Sequence, residues 1–309
     1  MSTKPGSLGL PRTMQMIERD WLNANHVLLS GSDRAVLVDA GHVSSADRTV
    51  QLVREALNGR PLHDLVLTHT HSDHMGGCAT LKRAFGCRIT VPEGEAEMIR
   101  TWDTRALWLD YAGQHAERFD FENIIHPGDR IEMGDLEWET IAAPGHDMGA
   151  VVYWCAREGI LISGDALWER SFGVVLPGEG WRERLAAARD TLFRLRSLGA
   201  RIVIPGHGRV FADADGTIEA CLSRVAAFEQ DERRMARNVV KVMFVFALLE
   251  RPGMTDEEIQ RLFAEVPLYV EYAAVYFRLG SVELARTTLD ELARTGALER
   301  DAGGRWYAR

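Results

Sequence analysis

Cysteine is scarce in this chain. Cys78, Cys87, Cys155 and Cys221 are scattered, with no Cys-x-x-Cys pair and no framework spacing, which excludes a disulfide scaffold and leaves free thiols in a reducing cytoplasm as the default reading. Long apolar runs are also missing. The longest, 239–249, is interrupted by Lys241, falls short of the roughly 18–20 residues that span a bilayer, and reads as a buried helix. The segment Met1-Ser-Thr-Lys-Pro-Gly-Ser7 lacks the charged, apolar and small-residue succession of an export signal. Positive charge is in deficit: the net charge of −9 argues against a nucleic-acid partner, because phosphate backbones reward basic surfaces. What the chain has is length. Its 309 residues, 46% of them hydrophobic, suffice for one large α/β domain with a smaller appendage.

The densest chemical signal is Leu65-Val-Leu-Thr-His-Thr-His-Ser-Asp-His-Met-Gly-Gly77, where His69, His71, Asp73 and His74 follow a short apolar run. That run predicts a strand and the glycines open a helix, so the four side chains fall on a strand-to-helix loop. Residues two apart in extended backbone face the same way, which lets His69 and His71 approach one ion together. Asp73 and His74 then point to a second position beside it. Imidazoles and a carboxylate without a nearby cysteine suit zinc first, iron or manganese next. Further donors arrive on later loops: His146 in Ala143-Pro-Gly-His-Asp147, Asp165 in Leu161-Ile-Ser-Gly-Asp165, and His207 in Ile202-Val-Ile-Pro-Gly-His-Gly208. Each is preceded by a glycine, which allows close backbone approach to a crowded centre. Seven donors are enough for two ions.

Thr68-His69-Thr70-His71-Ser72-Asp73-His74 followed in order by the Gly-His, Gly-Asp and Gly-His elements resembles the metallo-β-lactamase fold superfamily over roughly residues 14–212. The resemblance implies an αββα sandwich. It also implies that His69, His71 and His146 hold a first metal, that Asp73, His74 and His207 hold a second, and that Asp165 bridges them. Asp39, in Val36-Leu-Val-Asp-Ala-Gly41, matches the early strand-end aspartate that braces the metal loop. The expected chemistry is hydrolysis by a metal-bridging hydroxide, with Asp73 and Asp165 as catalytic carboxylates and Asp73 orienting the nucleophile or carrying a proton to the leaving group. Because the chain has Asp165 where the zinc β-lactamases generally have cysteine, the pattern looks closer to glyoxalase II and lactonases. The C-terminal region shows no clear match to the glutathione-binding pattern of glyoxalase II.

Strand patterns fall near 26–31, 34–39, 64–68, 87–91, 130–142, 150–164 and 201–205, with hairpin tips at 133–135 and 157–159. Helical patterns occupy 46–58, 75–85, 94–113 and 181–198. After about residue 215 the character changes. Long helical patterns run over 217–250, 255–265, 268–278 and 281–295, and the end reads as a hairpin with its tip at Gly303-Gly304. This predicts a catalytic domain over 1–215 and a helical, winged-helix-like domain over 216–309. From 217 onward there are 15 acidic and 13 basic side chains, so no broad electropositive face is implied.

Trp168 and Phe172, just after Asp165, are expected pocket walls for an acyl chain or aromatic ring. Trp102 and Trp108 read first as packing residues, Asn23 and Asn25 as partners of backbone groups, and His26 and His42 as the remaining histidines nearest the strand ends that face the site. Arg233, Arg237 and Lys241 recur every four residues, with Glu229 as the expected ion-pair partner. Tyr269, Tyr272 and Tyr276 share a helix face suited to core or homodimer packing. Taken together, these residues predict a cytoplasmic binuclear metallohydrolase of small ester-type substrates, thioester first and lactone second. The alternative is a phosphodiesterase or nuclease using the C-terminal module on nucleic acid.

Overall fold

The computed structural model describes residues 9–309; the leader-free reading of residues 1–7 lies outside them. The first sheet contains β1 (Met14–Ile17), β2 (His26–Ser30), β3 (Ala35–Val38), β4 (Asp64–Val66), β5 (Arg88–Pro92) and β6 (Asn123–Ile125), in that order. β1, β2 and β3 pair antiparallel, and β3 to β6 run parallel. Helices α1 (Ala46–Leu57), α2 (Ser72–Met75), α3 (Cys78–Phe85), α4 (Glu93–Thr101) and α5 (Leu109–Ala112) lie between its strands. The second sheet is ordered β11 (Ile202–Pro205), β10 (Ile160–Gly164), β9 (Val151–Cys155), β8 (Leu136–Ala142), β7 (Arg130–Met133). Helix α6 (Trp181–Ser197) links β10 to β11, which makes that pair parallel by a crossover.

Side-chain alternation builds the layers. On β3, Ala35 and Leu37 face α1 and α3, while Val36 and Val38 face the opposite sheet. On β10 and β11, Leu161 and Val203 face α6, and Ile160, Ile162, Ile202 and Ile204 meet the first sheet. Strands buried on both faces read as nearly continuous apolar runs, as these do, with Ser163 the polar exception in β10. The result is the expected αββα sandwich, with Trp138 and Tyr153 fully buried between the sheets. Tyr153 Oη donates to Leu67 O at 2.7 Å, joining the second sheet to the loop that carries the histidines.

Three helical expectations need correction. The pattern at 94–113 is interrupted because Trp102 and Trp108 adopt left-handed φ of 54° and 62°, which ends α4 and leaves only the short α5. The pattern at 75–85 divides at Gly76-Gly77. The run 217–250 is two helices, α7 (Ala214–Gln230) and α8 (Glu232–Leu249). Asp231 separates them: its φ of −149° leaves the helical region and its side chain accepts from Arg234 N, capping α8. The strands β1 and β6, short and at the sheet's edges, had no clear sequence pattern.

Beyond α8 follow α9 (Asp256–Glu265), α10 (Pro267–Tyr272), a π-helical turn at Ala273–Phe277, α11 (Ser281–Arg294) and a hairpin of β12 (Leu298–Arg300) with β13 (Trp306–Ala308). Met254 bridges to Trp306 on the outer side of that hairpin. Helix α7 packs on α6, with Ile218, Cys221, Val225 and Phe228 in one core with Leu185 and Leu192. A separate core joins Val240 and Phe244 of α8 to Phe263, Tyr269 and Leu284. Tyr269 and Tyr272 are buried in it, and Tyr269 stacks on Phe263 with centroids 4.1 Å apart. Among the described residues no helix is long and apolar enough to cross a membrane.

Candidate metal centre

All seven expected donors converge at the strand ends where the two sheets meet, and they form two adjacent groups: His69, His71 and His146, and Asp73, His74, Asp165 and His207. In the first, His69 Nε2 is 3.1 Å and His146 Nε2 2.8 Å from His71 Nδ1. A tetrahedral ion with bonds of about 2.0 Å needs neighbouring ligand nitrogens roughly 3.3 Å apart, so these atoms need to separate only slightly. Three imidazole edges turned on one point suit a cation far better than one another. In the second, His207 Nε2 is 3.0 Å from Asp73 Oδ2 and His74 Nε2 is 3.2 Å from Asp165 Oδ1. The His74 contact lacks hydrogen-bond geometry, so that buried nitrogen has no partner. Asp165 lies between the groups, with Oδ1 towards His74 and Oδ2 3.5 Å from His146 Nε2.

The electrostatics match this donor set. Burial first, then the neighbouring imidazoles, holds His69 well below its ordinary pKa and His71 down at about 4, so both are neutral with a lone pair free at pH 7. Burial disfavours charge on Asp73 and Asp165, yet His74 and other imidazoles outweigh it, taking Asp73 down to about 2 and Asp165 well below the usual carboxylate range. Burial likewise opposes charge on His74, but Asp165, Asp39 and Asp73 hold its pKa well above the ordinary value. Such a concentration of buried negative charge is what a cation at the second group would neutralise.

Outer hydrogen bonds orient the rings. Asp39 Oδ1 accepts from Thr68 N at 2.8 Å, and Oδ2 accepts from Thr68 Oγ1 at 2.9 Å and from His74 Nδ1 at 2.8 Å. Asp39 reaches them from a left-handed φ of 60°, a conformation aspartate tolerates better than most residues. His146 Nδ1 donates to Val174 O at 2.6 Å. Asp147 accepts from Gly149 N at 2.7 Å, and its Oδ2 lies 3.7 Å from His71 Nε2. Beside Asp147 the buried Glu95 also accepts from Thr70 Oγ1. Burial, then the charge of Asp147, raises Glu95 well above the usual carboxylate range. A Cβ at Gly206 would overlap Asp165 Oδ1 and come within 2.9 Å of His74 Cε1, so glycine there lets the His207 loop close on the centre.

The groups open into one cavity of about 330 Å³. Trp168 lines it, and its Nε1 donates to Asp165 Oδ1 at 3.0 Å. Phe172 does not: it is buried in the core behind His146, against Ala188 and Leu192. Trp108 also lines the cavity, its ring 5.2 Å from that of His71, whereas Trp102 packs on Phe119. Asn25 Nδ2 donates to Pro205 O and Gly208 O, and Asn23 Oδ1 accepts from His42 N, so both hold backbone. His26 bonds Asp39 O and Arg19, and His42 bonds Ser44; neither lines the cavity. Glu229 pairs with Arg189 rather than with Arg233, and the cations expected to use it turn to α11 and the π-helical turn: Lys241 Nζ is 2.9 Å from Glu291, and Arg237 stacks over Phe277.

Several contributors were not anticipated. Trp21 lies parallel to the His207 ring at 5.6 Å, and no motif marks it. Asp147 directly follows His146 in the sequence and could have been noticed for that reason. Val242, Val245, Phe246 and Leu249 of α8 roof the cavity; their spacing of three, four and seven was legible within the apolar run.

Residues 19–207 match the family model described as the metallo-beta-lactamase superfamily. Among curated proteins, the hydroxyacylglutathione hydrolase of Rhodospirillum rubrum is 29% identical over 150 residues, 48% of this chain and 49% of that protein. That of Ectopseudomonas mendocina is 28% identical over 187 residues, 60% and 59% of the two chains. The chain thus spans about half the length of the curated relatives it matches. Among solved structures, a metallo-beta-lactamase family protein from Thermus thermophilus aligns over 97% of this chain and 100% of its own, with a TM-score of 0.60 and 22% identity. A beta-lactamase domain protein from Burkholderia ambifaria aligns over 97% and 92%, with a TM-score of 0.58 and 19% identity. At those identities the likeness is one of fold.

Proposed function

The chain belongs to the metallo-β-lactamase superfamily, and from that premise we propose that it is a binuclear metallohydrolase of small ester-type bonds, thioesters first and lactones second. The observation that carries this reading is the pair of adjacent donor groups, sharing Asp165 between them and opening into a single cavity. His69, His71 and His146 would hold one ion, Asp73, His74 and His207 the other, and Asp165 would bridge. Divalent ions there, zinc first and iron or manganese as alternatives, supply Lewis acidity that makes water nucleophilic near pH 7 and offsets charge developing on the acyl oxygen.

The chain's own residues do the rest. Asp39 holds the Nδ1 proton of His74, so Nε2 is the nitrogen that would give up its proton and offer a lone pair to an ion. Trp168 Nε1 fixes Asp165, and Trp21 and Trp168 flank His207. Asp73, ionised and on the cavity wall, would take a proton from the attacking water and pass it to the departing thiol or alcohol. That the curated relatives are hydroxyacylglutathione hydrolases supports thioester cleavage over other chemistries. The phosphodiesterase or nuclease reading would draw on a winged-helix-like C-terminal part, in which helices α8 to α11 are followed by the β12–β13 hairpin. Against it, Lys241 and Arg237 are paired with Glu291, and the α8 face above the metal centre is apolar.

We take the appended module to begin at α8 rather than at residue 216, because α7 packs into the core of the sandwich. The deciding assay offers purified, metal-quantified protein acyl thioesters, lactones, a bis-aryl phosphodiester and short RNA. Thioester turnover that disappears on chelation and returns with zinc is the expected result; preference for RNA would overturn the proposal.

A further inference from the structure

Helix α8 is apolar on two faces. Val239, Val240, Met243, Phe244 and Leu248 pack into the C-terminal core. The second face, Val242, Val245, Phe246 and Leu249, repeats at intervals of three, four and seven and stays partly open, with Val242 38% exposed and Val245 at the edge where it also packs against that core. An apolar helix face is ordinarily enclosed, yet here the second face looks across the cavity at His71, Asp73, His146 and His207. Trp21, Trp108 and Trp168 continue the apolar lining between that face and the donor groups. Among the described residues of the wall, Lys241 is the lysine or arginine present, and its Nζ is already 2.9 Å from Glu291.

From this geometry we propose that the substrate carries an apolar chain or ring, seated against the α8 face with its carbonyl at the metal centre, and that α8 sets the enzyme's selectivity. This deepens, and rests on, the hydrolase reading. A polar, multiply anionic group such as a glutathionyl moiety would find a hydrocarbon roof and one engaged cation. An aliphatic acyl group instead removes both surfaces from water. The cavity's 330 Å³ equals about ten water volumes, room for an acyl chain of six to eight carbons or a substituted ring. Water is added across the bond: the acyl carbon gains hydroxyl as its bond to sulfur breaks, and the thiol leaves with the remaining proton.

The test uses the zinc-loaded full chain and two readouts. The first is kcat/KM for acetyl, butanoyl, hexanoyl and octanoyl thioesters of N-acetylcysteamine. The second is the Kd of the matching carboxylates, followed by tryptophan fluorescence. Both should improve by about fourfold per methylene until the cavity is filled, the factor expected when a methylene leaves water. Phe246→Ala, and independently Val242→Asn at a half-open position that the fold tolerates, should each lower the octanoyl-to-acetyl ratio roughly tenfold. A profile flat or falling with length in both readouts overturns the inference, even where every thioester is cleaved. If no thioester is cleaved but carboxylates still tighten with length, and Phe246→Ala removes that trend, the apolar site stands and the hydrolase reading fails. Binding that vanishes as protein concentration rises would mean that a second copy covers the face, and would also overturn it.

Discussion

Replacing Asp39 with asparagine tests how an outer residue controls the second ion. The substitution is nearly isosteric and keeps the Oδ1 acceptor for Thr68 N. At the other oxygen it exchanges an acceptor for an NH₂ group facing His74 Nδ1, at 2.8 Å, and Thr68 Oγ1, at 2.9 Å. The hydroxyl can rotate to accept. The imidazole can accept only by moving its proton to Nε2, the atom that faces Asp73 and Asp165 and must offer a lone pair to metal. Loss of such outer hydrogen bonds costs metal affinity about 10–100-fold, which is about 1.4–2.7 kcal/mol. Competition with a chromophoric chelator resolves two binding steps. The weaker step should fall by that factor while the step at His69, His71 and His146 is unchanged, with circular dichroism showing the fold intact. Two unchanged affinities would refute the tautomer argument.

Asp165→Asn removes the carboxylate between the groups, so bound zinc should drop from two per chain towards one and thioester turnover should fall at least a hundredfold; full stoichiometry with undiminished turnover would count against bridging. Gly206→Ala places a methyl against Asp165 Oδ1 and the Gly164 backbone, and should lower stability by about 1–3 kcal/mol in urea titration. The buried His26 has its pKa lowered to about 3, by burial first and then by Arg19. Folded protein therefore keeps it neutral below 6.5 while the unfolded chain takes up a proton, so stability is full above pH 6.5 and falls as pH drops, by about 2 kcal/mol at pH 5. His26→Gln should flatten that part of the stability profile, and an unchanged slope would show that another group is responsible.

The donors were legible because their motifs are local. His69 to His74 fall on one loop, and the Gly-His and Gly-Asp elements mark later strand ends, so strand alternation and the family pattern suffice to bring them together. The αββα layering was legible for a related reason, since strands such as 35–38 and the stretch 160–162 are apolar at every position and need cover on both sides. What escaped is non-local or depends on a single backbone angle. The break at 102–108 turns on two tryptophans in left-handed conformations, which no helical periodicity reveals. The α7–α8 break turns on one capping aspartate within a continuous helical pattern. Phe172 lies seven residues beyond Asp165, yet Leu167, Ala188 and Leu192 draw it into the core. Proximity in sequence to a site residue says little about which side of the sheet a loop residue meets.

The most consequential of these omissions is the second face of α8. Read as a run, 239–249 looks like an ordinary buried helix, and the core that takes up Val240, Phe244 and Leu248 accounts for about half of its apolar positions. The other half is left facing the donors of a separate core, 150 or more residues earlier for His71 and Asp73. At roughly 25 cal/mol per Å², keeping two valines, a leucine and a phenylalanine partly open forfeits stability that closing the gap would recover. Fold stability alone therefore favours either a collapsed cavity or polar residues at 242, 245, 246 and 249. Neither is present. On the proposal made above, ligand burial against that face would be the compensation, and it would divide the labour between the sandwich, which brings the donors together, and the appended helices, which would select what reaches them.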